Sequence, residues 1–368
     1  MINEKILKSE ERAMLLLRSL YKQYGYLPFK MSKFEEYDLY VRNKEFLVSD
    51  SVITFNDTDG RLLALKPDVT LSIIKNGTDE PGSKQKVYYN ENVYRVSGST
   101  HLFKEILQSG IECIGDIELF DLYETLYLAA KSLSIISDRF VLDVSHMGLI
   151  SAVLDSASAN DDFKRSALSL IANKNSHDTR KLCREYGVDA ASEDLIIALI
   201  ECCGTPSDVL SRLAFLSDVP AAKSAYDELS GVCKVLCGTE FEDNIRIDFS
   251  VVNDMGYYNG IVFKGFLDGI CEGVLSGGEY DVLMRRMGRK SKAIGFALYL
   301  DLLEELEQGS DDVDVDVLLI YGEKSKADFV LKKQQELVGC GKSVLCARNV
   351  PPMLRFAEIY DLTKEDAR

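Results

Sequence analysis

At 368 residues the chain has length for about two domains and a sizeable core, and 46% hydrophobic with 28% charged residues is an ordinary globular balance. A formal net charge of −16 argues against nucleic acid as a partner, because affinity for phosphates rests on Lys and Arg. No apolar run nears the roughly 20 residues of a membrane helix, and nine scattered cysteines without a Cys-x-x-Cys pair predict reduced thiols in the cytoplasm. Three histidines without ligand spacing predict no metal centre.

Along the chain, Ala13, Leu17, Leu20 and Tyr24 recur at helical spacing, and Glu4, Glu10 and Glu11 argue against a signal or transit peptide. An extended segment starts at Gly25. Residues 51–55 and 61–65 read as strands around an Asp57-Thr58-Asp59-Gly60 turn, and 87–89, 93–96 and 105–113 as further strands. A helix is expected over 119–134. From His146 to about Gly238 the pattern is helical alone, with one helix starting at Asp161 and others over 178–186, 192–203, 206–216 and 221–237. Strand pattern resumes at 245–251 and continues through 261–266, 270–274 and 293–300. A polar linker over 308–312 precedes a strand at 315–321, a helix at 325–338 and a strand at 343–346.

Two stretches mix polar groups with strand formers. In Leu107-Gln108-Ser109-Gly110-Ile111-Glu112, alternation sends Gln108, Gly110 and Glu112 to one face. The amide and carboxylate then lie about 13 Å apart at ~3.3 Å per residue. Bare backbone at Gly110 makes a floor for a small ligand. The second stretch is Asn253-Asp254-Met255-Gly256-Tyr257-Tyr258-Asn259-Gly260-Ile261-Val262-Phe263. Alone, Tyr257 and Tyr258 read as core aromatics and Gly277-Gly278 as a turn. The one dense basic run, Arg285 to Lys292, reads as a solvated loop or a contact for a phosphate or an acidic partner.

Taken in order, these pieces resemble class II aminoacyl-tRNA synthetases of the histidyl type over roughly residues 10–305. Residues 87–115 resemble the second motif, with Arg95 and the strand ending Gln-x-Gly-x-Glu. Asn253 to Phe263 and Ser276-Gly277-Gly278-Glu279-Tyr280-Asp281 resemble the two histidine-reading segments, and Ala293-Ile294-Gly295-Phe296-Ala297 the start of the third motif. The resemblance implies an α+β fold, an antiparallel sheet flanked by helices. It implies a core over 1–306 with a helical insertion at 146–240, and a short α/β segment over 313–368 like a truncated anticodon-binding domain. It further implies a histidine pocket. Asp68, Thr70 and Gln108 would take the α-amino group, Glu112 and Tyr258 the imidazole, and Arg95 the carboxylate, with Tyr257, Gly277 and Gly278 alongside.

The departures point away from catalysis. Histidyl synthetases carry arginines at the positions of Asn253 and Leu302, and a glutamate at that of Ser97. Glu279 replaces a further arginine and is expected to add negative charge at the pocket mouth. Lys66-Pro67-Asp68-Val69-Thr70 resembles instead the regulatory subunits of short-form ATP phosphoribosyltransferase. That resemblance implies a non-catalytic chain without a cofactor, dimerising through the segment after Gly25. It would assemble with the short catalytic subunit and confer histidine feedback in histidine biosynthesis. The alternatives are a divergent histidine–tRNA ligase and a free-standing amino-acid sensor.

Overall fold

The computed structural model describes residues 7–43, 47, 52–77, 80, 82–96, 102–252, 258–307, 313–323 and 325–364. It divides into two units, Met1–Leu306 and Glu307–Arg368. In the first, short strands β1 (Leu27–Pro28), β2 (Phe34–Glu36), β3 (Thr54–Asn56) and β4 (Leu62–Leu65) precede the long pair β5 (Lys84–Val96) and β6 (Phe103–Gly115). Then come β7 (Phe140–His146), β8 (Cys203–Gly204), β9 (Ile245–Asp248), β10 (Ile261–Leu267), β11 (Leu275–Glu279) and β12 (Lys292–Tyr299). Nine of these form one sheet in the order β1-β5-β6-β12-β11-β10-β7-β9-β8, antiparallel from β5 through β7. Strands β2, β4 and β3 make a separate small sheet. Its hairpin turn is held by Asp57, whose Oδ1 accepts the Asp59 and Arg61 N–H groups at 2.9 Å each.

Alternation along β6 decides the layers. Ile111 and Cys113 join a core with helices Ser9–Gln23 and Leu119–Ile136, through Leu17, Leu126 and Leu133, while Gln108 and Glu112 face the other way. Each such leucine contributes about 1.5–3 kcal/mol on burial. A second cluster covers the opposite face, built from Val87, Tyr89, Ile73, Tyr280 and Leu283. The helical stretch between β7 and β9 runs through Met147–Ala157, Asp161–Ala172, Ser176–Glu185, Ala190–Glu201, Pro206–Arg212 and Pro220–Leu236. Asn160, Asn175, Asp189 and Thr205 cap four of these helices. Their buried residues, such as Phe163, Ile196 and Leu229, join the first core cluster.

Two sequence expectations change. Residues 270–274 form no strand: Gly269 turns the chain at φ 94°, Ile270 is buried in the turn, and Val274 leads into the next strand through its bonds to Gly265 and Tyr299. The strand is β11, which contains the Gly277-Gly278 pair that taken alone reads as a turn. In the second unit, β13 (Val315–Ile320) pairs in parallel with β14 (Val344–Ala347) and with a strand not read from the sequence, β15 (Phe356–Asp361). Helix Ala327–Gly339 covers them through Val330, which packs with Leu319 and Leu362.

Candidate functional site

The site occupies the sheet face away from helix Leu119–Ile136. Register sets Glu91 opposite Gln108, Tyr89 opposite Gly110 and Val87 opposite Glu112. On the other flank, β12 sets Gly295 beside Glu112 and Tyr299 beside Gln108. Glu112 is 2% exposed, and Gly295 makes room for it: a Cβ there would fall 1.8 Å from Oε2. The Thr70 hydroxyl donates to Oε1 at 2.8 Å and the Tyr280 hydroxyl to Oε2 at 2.5 Å. Burial nonetheless pushes the carboxyl up to about 8, helped by nearby Asp68 and opposed by the two hydroxyls. Without a ligand Glu112 is therefore mostly a neutral acid at pH 7. A cationic or N–H-donating ligand supplies the compensation that burial withholds.

Asp68 stands before helix Thr70–Asn76 and its Oδ1 accepts the Leu71 N–H at 2.9 Å. It keeps part of its surface open, yet burial dominates and raises its pKa against the pull of the Leu71 N–H and Arg95. Arg95 Nε donates to the Pro67 carbonyl at 3.0 Å, and its guanidinium meets the Tyr299 hydroxyl. Arg95 also lines a cleft of about 430 Å³ with Lys104, Ser276, Gly277, Tyr299 and Leu302. Gln108 is 3% exposed, and its Nε2 has no hydrogen-bond partner among the described residues. An orphaned buried donor costs about 1–3 kcal/mol unless a ligand or water meets it.

The sequence-derived site residues are only partly brought together. Burial and the charges of Glu112 and Asp68 act together on Tyr258, whose ring lies on Gly278: Cδ1 is 2.7 Å from where a Cβ would stand. Thr70 belongs to the Glu112 group. Gly110 is not an open floor, because the Tyr89 hydroxyl and the Phe296 carbonyl stand 2.5 and 2.2 Å from its Cβ position. The free side of Gly277 is filled by Phe263 and Phe296, so it meets the cleft through backbone alone. Glu279 is a correction: it is buried on the opposite face, its Oε2 accepting the Ile261 N–H at 2.7 Å, and adds nothing at the pocket mouth. Tyr257, Asn253 and Ser97 lie outside the described residues.

Three participants were missed as site residues. Tyr280 grips Glu112, and Lys66, fully buried, donates to Glu91 at 2.8 Å beside Gln108. Both sit in quoted motifs, so the motif order carried a signal that residue type alone did not. In the basic run, Arg289 donates to the Ile74 and Lys75 carbonyls at 3.1 Å, closing the end of helix Thr70–Asn76. Among the described residues no group of His, Cys, Asp or Glu is arranged to hold a metal, and no helix is long and apolar enough to cross a membrane.

A long antiparallel hairpin, a third strand returning beside it and carboxyl groups sunk in the sheet define a class II synthetase core. Residues 2–303 match the sequence profile described as Histidyl-tRNA synthetase, and the chain belongs to that family. Similar curated proteins are named ATP phosphoribosyltransferase regulatory subunit. The one from Oceanobacillus iheyensis is 27% identical over 321 residues, covering 86% of this chain and 79% of its own. The one from Clostridium botulinum strain Langeland is 28% identical, covering 89% and 81%. Among solved structures, an ATP phosphoribosyltransferase regulatory subunit/histidyl-tRNA synthetase from Bacillus halodurans shares the fold with a TM-score of 0.76 at 20% identity, covering 96% and 93%. An ATP phosphoribosyl transferase (HisG:HisZ) complex from Thermotoga maritima matches with 0.62 at 21% identity, covering 81% and 97%.

Proposed function

We propose that the chain is a regulatory subunit of ATP phosphoribosyltransferase in histidine biosynthesis, a non-catalytic histidine-binding partner of the short catalytic subunit. The curated relatives that match most of its length carry that name. The observation that carries the non-catalytic part is Leu302, an apolar residue lining the cleft where the synthetase pattern has a phosphate-facing arginine. Adenylate formation needs cations on the transferring phosphates. Histidine then sits between Glu112 and Tyr258 at its imidazole, Asp68 and Gln108 at its ammonium and Arg95 at its carboxylate. Thr70 orients Glu112. The chain works in the cytoplasm, as a homodimer within the hetero-oligomer, and without nucleic acid.

Mixing the chain with a short catalytic subunit and assaying phosphoribosyl-ATP formation tests this. Activity should appear with the chain and fall when histidine is added. Histidine-dependent ATP–pyrophosphate exchange at ~1 per second or faster would replace the proposal with the ligase reading.

A further inference from the structure

Strand β11 shows a different chemistry on each face. Tyr258 lies on Gly278 on the pocket side, while Glu279 is buried on the other, 6% exposed. The Glu279 carboxylate fills the space beside Gly260, where a Cβ would stand 1.9 Å from Oε2. It holds the Ile261 N–H at 2.7 Å, and its main-chain carbonyl holds the Asn259 N–H at 3.2 Å. The Gly260 carbonyl in turn accepts the Met147 N–H at 2.8 Å. The three residues after Tyr258 are thus fixed by Glu279 and by the start of the helical stretch.

Helix Pro220–Leu236 brings a second carboxyl, Glu228, within hydrogen-bonding reach of Glu279. Glu228 Oε1 lies 4.0 Å from Nε2 of His146, at the end of β7. His146 is 3% exposed, its Nδ1 accepts the Leu149 N–H at 3.2 Å, and its Nε2 has no partner among the described residues. Burial lowers its pKa to about 4, so it brings no positive charge. Asp281, which follows β11 and accepts the Ala293 N–H at 3.0 Å, adds a further negative group. Two carboxylates in contact, one buried and one partly so, repel when both ionise, and one proton between them converts repulsion into a hydrogen bond.

We infer that Glu279 and Glu228 share a proton and so clamp the helical stretch to the turn carrying Tyr258, acting as positioning residues for the histidine pocket. The inference rests on the pocket reading above for its ligand. Burial, then the Glu228 charge, pushes Glu279 up to about 8. Above that pH the like charges push the helix from β11, and the joint between the helical stretch and the turn carrying Tyr258 loosens.

The test uses the full chain with Glu279→Gln and Glu228→Gln, each keeping a hydrogen bond without the charge. Histidine affinity is measured by calorimetry from about pH 6.5 to about pH 9 and expressed as a ratio of wild type to variant. Titration of Glu112 and of histidine itself cancels in that ratio. Affinities should match near pH 6.5, and wild type should trail by roughly three- to tenfold at pH 9, up to tenfold per unit above the pKa. Melting temperatures of the ligand-free proteins should diverge in parallel, wild type losing ground as pH rises. A flat affinity ratio with parallel melting series overturns the clamp. If neither protein binds histidine, the pocket reading fails, and the melting series alone decides on the clamp. Should Glu279→Gln not fold, Glu228→Gln, whose side chain is one-third exposed, carries both measurements.

Discussion

Glu112 on β6 and Glu279 on β11 are sunk into opposite faces of one sheet, with β12 between their strands. Burial drives both up to about 8. Their partners differ. Glu112 meets two hydroxyls, from Thr70 and Tyr280, and a hydroxyl can rotate to donate or accept. Glu279 meets a backbone N–H, which can only donate, and a second carboxyl, which needs a proton. Under the proposed reading, equal desolvation serves an adaptable recognition group on one face and a fixed joint on the other. The two carboxyls differ in the freedom of their donors, not in the depth of their burial.

The sharpest way to break this contrast is Glu112→Gln. Loss of a charge-assisted bond costs about 1.5–3 kcal/mol, so histidine affinity should fall about ten- to hundredfold. Below about pH 4.5, where the carboxyl is uncharged, the melting temperature should barely move, because an amide can still meet Thr70 and Tyr280. Calorimetry that shows unchanged affinity would place histidine elsewhere.

A second measurement reads both carboxyls at once. Each has a folded-state pKa above the ordinary 4.5, so the folded chain holds protons that the unfolded chain releases. Their stabilisation is complete below about pH 4.5 and is lost as pH rises through about 8, with a slope up to about 1.4 kcal/mol per pH unit for each group. Urea unfolding between pH 6 and about pH 9 should show falling stability, and Glu112→Gln or Glu279→Gln should each flatten part of the slope. Stability that climbs over this window would contradict the assignment. The smallest effect belongs to an exposed pair. Arg139 and Asp268 approach to 2.8 Å, but their side chains are 82% and 57% exposed. Arg139→Ala should change stability by less than about 0.5 kcal/mol in the same titration.

Much of the site was legible because β6 is regular. Two-residue alternation placed Gln108 and Glu112 together, and the structure buries both on that face. The Asp57–Gly60 turn and helix Leu119–Ile136 were legible through turn chemistry and apolar spacing. Glycine hid β11, since Gly277 and Gly278 offer no side chains to alternate. With that strand unread, Glu279 could not be assigned to the face opposite Gly278. Tyr89 escaped as the cover of Gly110 because cross-strand register is set by pairing far along the chain. In the second unit, β15 follows Pro351-Pro352 and has mixed exposure, so its pattern was too weak to read.

The nine-stranded sheet ends on both sides in strands of two residues, Leu27–Pro28 and Cys203–Gly204. An incoming chain that extends a sheet needs a run of open N–H and C=O groups. Two residues offer almost none, and Pro28 has no N–H to give. Neither terminal strand therefore offers a ladder of its own to a further strand.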